Sequence, residues 1–422
     1  MISQYFDSLI SGIEAKIKED PKAFHPRKKY TLEVARLGKR LYAREGPIAS
    51  PMLQGPGALP TGPIALCGVT TPFDLLNAMG VTSCFVEFIG ALLASSGTVA
   101  PFLEKAEHSG YASDSCGYHR AVLGASQEGL MPHPDFLIAT SCPCSGGLAT
   151  MENLAHHYKK DLFLLHIPQD LSKKNVDYLA RQIMEMETFV IRHTGRPLDP
   201  DRLLKVIEKT NQARELMVEI YHLAQHIPSP NSGKELGNFA IVMALLLGTD
   251  AAIDVTRAYR DEFAARLHAG SSGVPQERLR LMWIQNRIQF KNSIIPDLEK
   301  NYQASVIVDE LNSMTWDPID PHDPYVGFAE RAISIPFNGG VERRVQHLKK
   351  LAQDYKIDGA INPCHWGCRQ GTGARGLIEE GLKEIGVPVL NLEVDCVDTR
   401  NYAEGQLKTR LGAFFEMLHS RH

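Results

Sequence analysis

The sequence has no surplus of positive charge. Its 45 Lys and Arg stand against 49 Asp and Glu, a net charge of −4, and no basic run stands out. A surface that holds a phosphate backbone needs a clear excess of Lys and Arg, so nucleic acid is not an expected partner. The sequence also lacks an unbroken apolar run. The longest candidate, Val81 to Leu103, carries Glu87, Gly90, Ser95, Ser96, Gly97 and Pro101, whereas a spanning helix needs about 20 apolar residues in a row. The stretch reads as a buried strand followed by a loop or helix, and no membrane span is expected. No secretory leader opens the sequence: Met1 to Asp20 mixes Asp7, Glu14, Lys16, Lys18 and Glu19 with apolar residues, as an amphipathic helix does. A cytoplasmic location follows as the expectation. There is no G-x-x-x-x-G-K-[ST] loop, and GTGARG from Gly371 is too loose to count as a nucleotide site.

Eight cysteines are present: Cys67, Cys84, Cys116, Cys142, Cys144, Cys364, Cys368 and Cys396. In a reducing compartment disulfides are not the default. Metal binding, catalysis and plain burial remain.

The 422 residues, 44% hydrophobic and 22% charged, suit two domains with large cores and an extra segment. Residues 1–60 read as helical and then loop-like, with a charged helix over Lys28–Glu45 and a Gly/Pro-rich boundary over Gly46–Pro63. From there short apolar runs alternate with helices. Strands are expected at Ile64–Val69, Ser83–Phe88, Asp135–Thr140 and Asp161–Ile167, and helices at Pro72–Met79 and Gly146–Tyr158. Residues 170–235 are mostly helical and polar, and Ala240–Gly248 reads as an apolar helix core. The pattern resumes with strands at Leu279–Ile284, Ser305–Val308, Gly359–Asn362 and Val387–Leu392, and helices at Ile294–Tyr302, Val341–Tyr355, Gly373–Ile385 and Gly405–Leu418. Short apolar strands separated by helices imply parallel sheets covered on both faces. The expected fold is α/β: two Rossmann/flavodoxin-like parallel-sheet domains, a helical N-terminal segment and a helical connector. The expected divisions are 1–60, 61–235 and 236–422.

Most of the cysteines fall just beyond strands, where open α/β sheets bind ligands. Cys67 closes the first strand. Cys142 and Cys144 follow the strand ending at Thr140, Cys364 and Cys368 the strand ending at Asn362, and Cys396 the last strand. Cys116 sits in the loop SDSCGYHR before a helix. Cys84, inside SCFVEF, reads as a buried small hydrophobe. All-thiolate sites select zinc or iron–sulfur clusters. The pairs Cys-Pro-Cys and Cys-His-Trp-Gly-Cys do not match zinc-ribbon spacing, and iron–sulfur sites built from distant loops tolerate such spacing better. Unrelated buried thiols are the plain alternative.

Three stretches carry a resemblance: GYASDSCGYHRAVLGA with Cys116, PDFLIATSCPCSGGLATMENLAHHY with Cys144, and DGAINPCHWGCRQ…GVPVLNLEVDCVDTRNYAEGQLKTRLGAFFEML with Cys368. Through them the chain resembles the 2-hydroxyacyl-CoA dehydratase and benzoyl-CoA reductase family over most of its length. The resemblance implies an anaerobic enzyme with an iron–sulfur cluster on three cysteines, fed with electrons by a separate ATP-hydrolysing activator. HWGCRQ, DCVD and the additional cysteines Cys67, Cys142 and Cys396 are similar to the double-cubane branch of the family. That likeness implies a homodimer, two bridged [4Fe-4S] units per chain on Cys67, Cys116, Cys142, Cys144, Cys368 and Cys396, and reduction of a small molecule. Cys364 in place of Cys368 stays open, because a helical CHWGC would put both thiols on one face. A single-cluster dehydratase subunit and a non-catalytic electron store are the alternatives. His119 and His365, beside cluster cysteines, suit either proton donation or orientation of a loop. Arg369, Gln370 and Arg375 suit either an anion or surface salt bridges.

Overall fold

The computed structural model describes residues 2–20, 26–42, 62–233, 235 and 245–421. Helices α1 (Ile2–Glu19) and α2 (Pro26–Tyr42) pack against each other at the start of the chain. A parallel sheet follows, made of β1 (Ile64–Cys67), β2 (Thr82–Phe85), β3 (Phe136–Thr140) and β4 (Leu162–Leu165), in the order β2-β1-β3-β4. Its crossovers carry α3 (Phe73–Ala78), α4 (Val86–Ser96), α5 (Ala100–His108), α6 (Gly117–Gln127) and α7 (Ser145–Tyr158). Long helices α8 (Lys173–Thr194), α9 (Pro200–Ala224) and α10 (Asp250–His268) connect to a second parallel sheet. That sheet holds β5 (Leu279–Trp283), β6 (Ala304–Asp309), β7 (Gly359–His365) and β8 (Val389–Val394), in the order β6-β5-β7-β8. Around it lie α11 (Ile294–Tyr302), α12 (Pro324–Ser334), α13 (Val341–Asp354), the short α14 (Arg369–Thr372), α15 (Arg375–Glu384) and α16 (Glu404–His419).

Counted within each sheet, the strand order is the same: second, first, third, fourth. Strands IALC, FLIAT, LRLMW and ASVIVD are buried at every residue, without alternation, as expected where helices cover both faces. Both sheets reverse their winding between the first and third strand, at β1/β3 and at β5/β7. Crevices at such switch points are where open α/β sheets hold ligands. One buried cluster contains Leu66 and Leu137 of the first sheet with Leu281, Ile361 and Leu392 of the second, so the two sheets share a core. Helix α12, which follows β6, packs on α8 of the connector.

Several expected strands differ in extent: those expected over Ile64–Val69 and Asp161–Ile167 span only Ile64–Cys67 and Leu162–Leu165. The strand expected over Ser83–Phe88 stops at Phe85, because Val86 opens α4. Those expected over Gly359–Asn362 and Val387–Leu392 continue to His365 and Val394. Pro363 lies inside β7, where beyond Ile361 only β8 still pairs with it. An edge of this kind tolerates the missing N–H. Helices α10 and α12 had no sequence-based expectation. The divisions expected at 60/61 and 235/236 abut residues outside the described set, as does most of the helix core expected over Ala240–Gly248. Among the described residues no helix is long and apolar enough to cross a membrane.

Candidate functional site

The carboxyl ends of both sheets open onto one cavity of about 660 Å³. Its walls come from the segments after β1 (Val69–Phe73), β3 (Pro143, Cys144), β5 (Gln285–Gln289) and β6 (Leu311–Trp316), and from α2, α4, α8 and α12. Most of the lining is apolar, including Phe85, Phe88, Ile167, Leu179, Phe328 and Phe337.

Cys116, Cys144 and Cys368 line this cavity. Each is the N-cap residue of a helix, α6, α7 and α14 respectively. A helix N-terminus presents unpaired N–H groups and a partial positive charge, which attract negative charge; at Cys144 burial outweighs this and pushes the thiol up. Each sulfur also faces a hydrogen-bond donor. Gly147 N–H donates to Cys144 Sγ at 3.3 Å, and Gln285 Nε2 donates to Cys368 Sγ at 3.2 Å. His365 Nε2 lies 3.2 Å from Cys116 Sγ. The Cys396 amide lies 2.9 Å from His365 Nδ1 and Asp395 Oδ1 3.6 Å from it, which holds the ring with Nε2 aimed at the sulfur. Burial alone would push the Cys116 thiol up, but His365 and His119 outweigh it and bring it down to about 5.

Two glycines make this convergence possible. Gly367 has φ +71°, and a Cβ there would lie 2.3 Å from Cys116 N. The HWG turn therefore rests directly on the Cys116 loop. A Cβ on Gly371 would lie 2.4 Å from Gln285 Oε1, closing the path by which Gln285 reaches Cys368. Gln370 Nε2 donates to Pro143 O at 2.7 Å and ties the Cys368 turn to the Cys142–Pro143–Cys144 loop. Behind the cysteines, fully buried Arg120 bonds Glu107 (2.6 Å), Asp395 (3.1 Å) and Asp398 (3.3 Å). Asp395 in turn caps the amides of Val397 and Asp398. That network pins the segment carrying Cys396 to α6.

The remaining cysteines lie elsewhere. Cys396 is fully buried, with Sγ–H toward Asn286 O at 3.9 Å. Cys142 borders a much smaller second cavity together with Cys144, Gly68 and Thr140. Cys67 is fully buried in β1 with Sγ–H toward Ala65 O at 3.6 Å. Cys84 is buried in β2, and burial pushes its thiol up to about 12. Cys364 does not follow a helical CHWGC. It lies in β7 with Sγ–H toward Asn362 O and Asn391 Oδ1, away from the cavity, and Cys368 alone of the pair lines it.

Of the other expected residues, His119 lines the cavity, with Nε2 3.8 Å from Glu87 Oε1. Arg375 pairs with Glu393 at 2.8 Å and is largely exposed, the plainer of its two readings. Sequence reasoning missed Thr71, Gln285, Arg287 and Trp316. Thr71 Oγ1, Glu87 Oε2, Gln285 Oε1, Arg287 Nη2 and Trp316 Nε1 are buried without a hydrogen-bond partner, and all five belong to residues lining this cavity. Buried polar atoms are nearly always paired, so their concentration here marks a place built to receive something. Gln285 and Arg287 follow β5 as the cysteines follow β3 and β7, and that position was the available signal.

Comparison with known proteins agrees with this geometry. The profile of the 2-hydroxyglutaryl-CoA dehydratase D-component family matches residues 68–418. The chain is 23% identical to the (R)-phenyllactyl-CoA dehydratase alpha subunit of Clostridium sporogenes, over 84% of this chain and 89% of that protein. It is 25% identical to a benzoyl-CoA reductase subunit of Thauera aromatica, over 82% and 85%. It is 23% identical to the lactoyl-CoA dehydratase alpha subunit of Anaerotignum propionicum, over 82% and 88%. With Cys144 and Cys368 beyond strands and Cys116 at the start of α6 gathered on one cavity, and a profile match over most of its length, the chain belongs to the 2-hydroxyglutaryl-CoA dehydratase D-component family.

Proposed function

We propose that this chain is the substrate-handling component of a low-potential iron–sulfur reductase, with its cluster held by Cys116, Cys144 and Cys368. The observation that carries the reading is the convergence of three helix-capping, donor-facing thiols on one apolar cavity. The donor set fits such a group. Thiolates are soft ligands that select zinc or iron–sulfur clusters. Among the described residues no three His, Cys, Asp or Glu side chains are spaced to hold a single metal ion. When bound, the cluster supplies low-potential electrons. His365, Gly147 and Gln285 orient the sulfurs and stabilise their negative charge. Phe85, Phe88, Phe328 and Phe337 keep water from the space beside them. Electrons come, in this reading, from a separate ATP-hydrolysing activator that docks on a homodimer, and the molecule reduced is small enough to enter the cavity.

A double-cubane assembly would add Cys67, Cys142 and Cys396 as ligands. Its support is that Cys142 shares the small second cavity with Cys144, and that the Cys396 amide and Cys116 Sγ share His365. A dehydratase-type subunit with one cluster is supported by the three-cysteine geometry and by the names of two relatives. Iron, acid-labile sulfide and zinc per chain, on protein purified without oxygen, separate these readings. About eight irons support paired cubanes and about four a single cluster. Zinc without sulfide overturns the cluster reading.

A further inference from the structure

The cavity has a second polar side that the cysteines do not explain. Thr71 and Trp316 are 4% and 7% exposed, and Thr71 Oγ1 and Trp316 Nε1 have no partner. A chain of contacts links Trp316 to the segment that carries Thr71. Trp316 O accepts from Arg214 at 2.6 Å, and the Arg331 guanidinium lies 5.7 Å over the Trp316 ring. Arg331 is held by both oxygens of buried Asp74 (2.7 and 2.8 Å), three residues after Thr71. Thr71, Trp316 and Arg331 all line the cavity, with Phe328 and Ile183 among their apolar neighbours there.

The chemistry of this corner is one-sided. An indole N–H only donates, and a threonine hydroxyl can donate as well as accept. A ligand that satisfies both must bring a hydrogen-bond acceptor. The bidentate Asp74–Arg331 pair is neutral overall, and its guanidinium is already engaged, so nothing there calls for an anion. A carboxylate at this corner would be desolvated beside Asp74, whose charge Arg331 already matches.

We propose that the molecule handled at this site is largely apolar and carries an uncharged oxygen acceptor, such as a ketone, amide or hydroxyl oxygen, which is held by Trp316 Nε1–H and Thr71 Oγ1–H. The inference rests on the cavity being the substrate site. It deepens that reading by giving specificity to two residues that touch no proposed cluster ligand in the hydrogen bonds described.

The test is binding, not turnover, so it is independent of the cluster. Full-length protein is titrated with acetophenone and with isopropylbenzene, its hydrocarbon counterpart of similar shape, by calorimetry and ligand-observed NMR. The ketone is expected to bind about fivefold more tightly, the worth of one net hydrogen bond. Trp316→Phe is expected to abolish that preference and Thr71→Val to reduce it, with isopropylbenzene affinity unchanged in both. Trp366→Phe, at the exposed turn tryptophan, is expected to leave it intact. Equal affinities in the wild-type protein, a preference that survives both substitutions, or no binding of either compound overturns the proposal. Should Trp316→Phe fail to fold, Thr71→Val alone decides. A missing cluster would show in the metal analysis and leave these affinities untouched.

Discussion

The eight cysteines divide according to what their sulfurs do. Cys116, Cys144 and Cys368 face hydrogen-bond donors, cap helices and line the cavity. Cys67, Cys364 and Cys396 turn Sγ–H toward carbonyl oxygens. Cys84 and Cys142 have thiols that burial pushes up to about 12. Burial alone does not make the division, since all of these side chains are at least partly buried. The surroundings make it. N–H groups beside a sulfur stabilise the thiolate, the form that ligates metal; at Cys144 burial outweighs its donor and pushes the thiol up, and Cys364 and Cys396 meet Arg375 and His365 as well as oxygens.

The comparison can be broken most directly by chemistry on the iron-free protein. At pH 7 the Cys116 thiol, at about 5, is ionised, whereas Cys364, pushed by burial to about 11, is not. Iodoacetamide is expected to label Cys116 roughly 10- to 40-fold faster than Cys364, after allowing for the weaker nucleophilicity of a low-pKa thiolate. The Cys116 rate should stay flat down to about pH 6 and fall as the thiolate is protonated below that. Peptide mass spectrometry across pH 4–9 reads this out, and uniform labelling would erase the division. The next effect is on metal. Cys116→Ser, Cys144→Ser or Cys368→Ser is expected to weaken retention of iron and sulfide by more than about a hundredfold in affinity, beyond the 10–100-fold typical of losing a supporting residue. Cys364→Ser should retain both.

The donors sharpen the comparison at a smaller scale. Gln285→Leu keeps the shape but removes the N–H to Cys368 Sγ, and about a tenfold loss of cluster affinity is expected. His365→Phe should do the same at Cys116, and His365→Gln should restore much of it by placing an amide N–H near the position of Nε2. Electron paramagnetic resonance of the reduced protein, alongside iron content, separates altered cluster surroundings from simple unfolding. Unchanged spectra and iron in all three variants would mean that these donors serve only the packing of the loops.

Much of this arrangement was legible in the sequence, for one physical reason. Short apolar runs between helices imply parallel sheets, and parallel sheets bring the residues just past each strand to a common edge. Cys144 and Cys368 could be placed at that edge without coordinates, whereas Cys116, in a loop before a helix, was joined to them only through the family resemblance. The choice between Cys364 and Cys368 could not, because it depends on β7 running past Pro363 to His365 and on Gly367 turning the chain against the Cys116 loop. The donors were illegible for a similar reason: Gln285 lies 83 residues from Cys368, and His365 lies 249 from Cys116. Trp316 and Thr71 have no local signature, since an indole in an apolar context reads as core until its N–H is seen to lack a partner.

The smallest effect is the most discriminating control. Cys84 is 1% exposed, packs in the core shared by both sheets, and lies in β2 beside the end of β1. Cys84→Ala removes one buried sulfur and leaves a small void, so a loss of about 1 kcal/mol is expected in denaturant titrations. Its iron, sulfide and Cys116 labelling rate should match the unaltered protein. Cys396→Ala should cost a similar amount of stability, because that thiol is equally buried. If Cys396→Ala lost iron while Cys84→Ala did not, at equal stability cost, orientation toward a carbonyl would no longer mark a cysteine as structural. The line dividing the two groups would then have to be drawn from position at the strand ends alone.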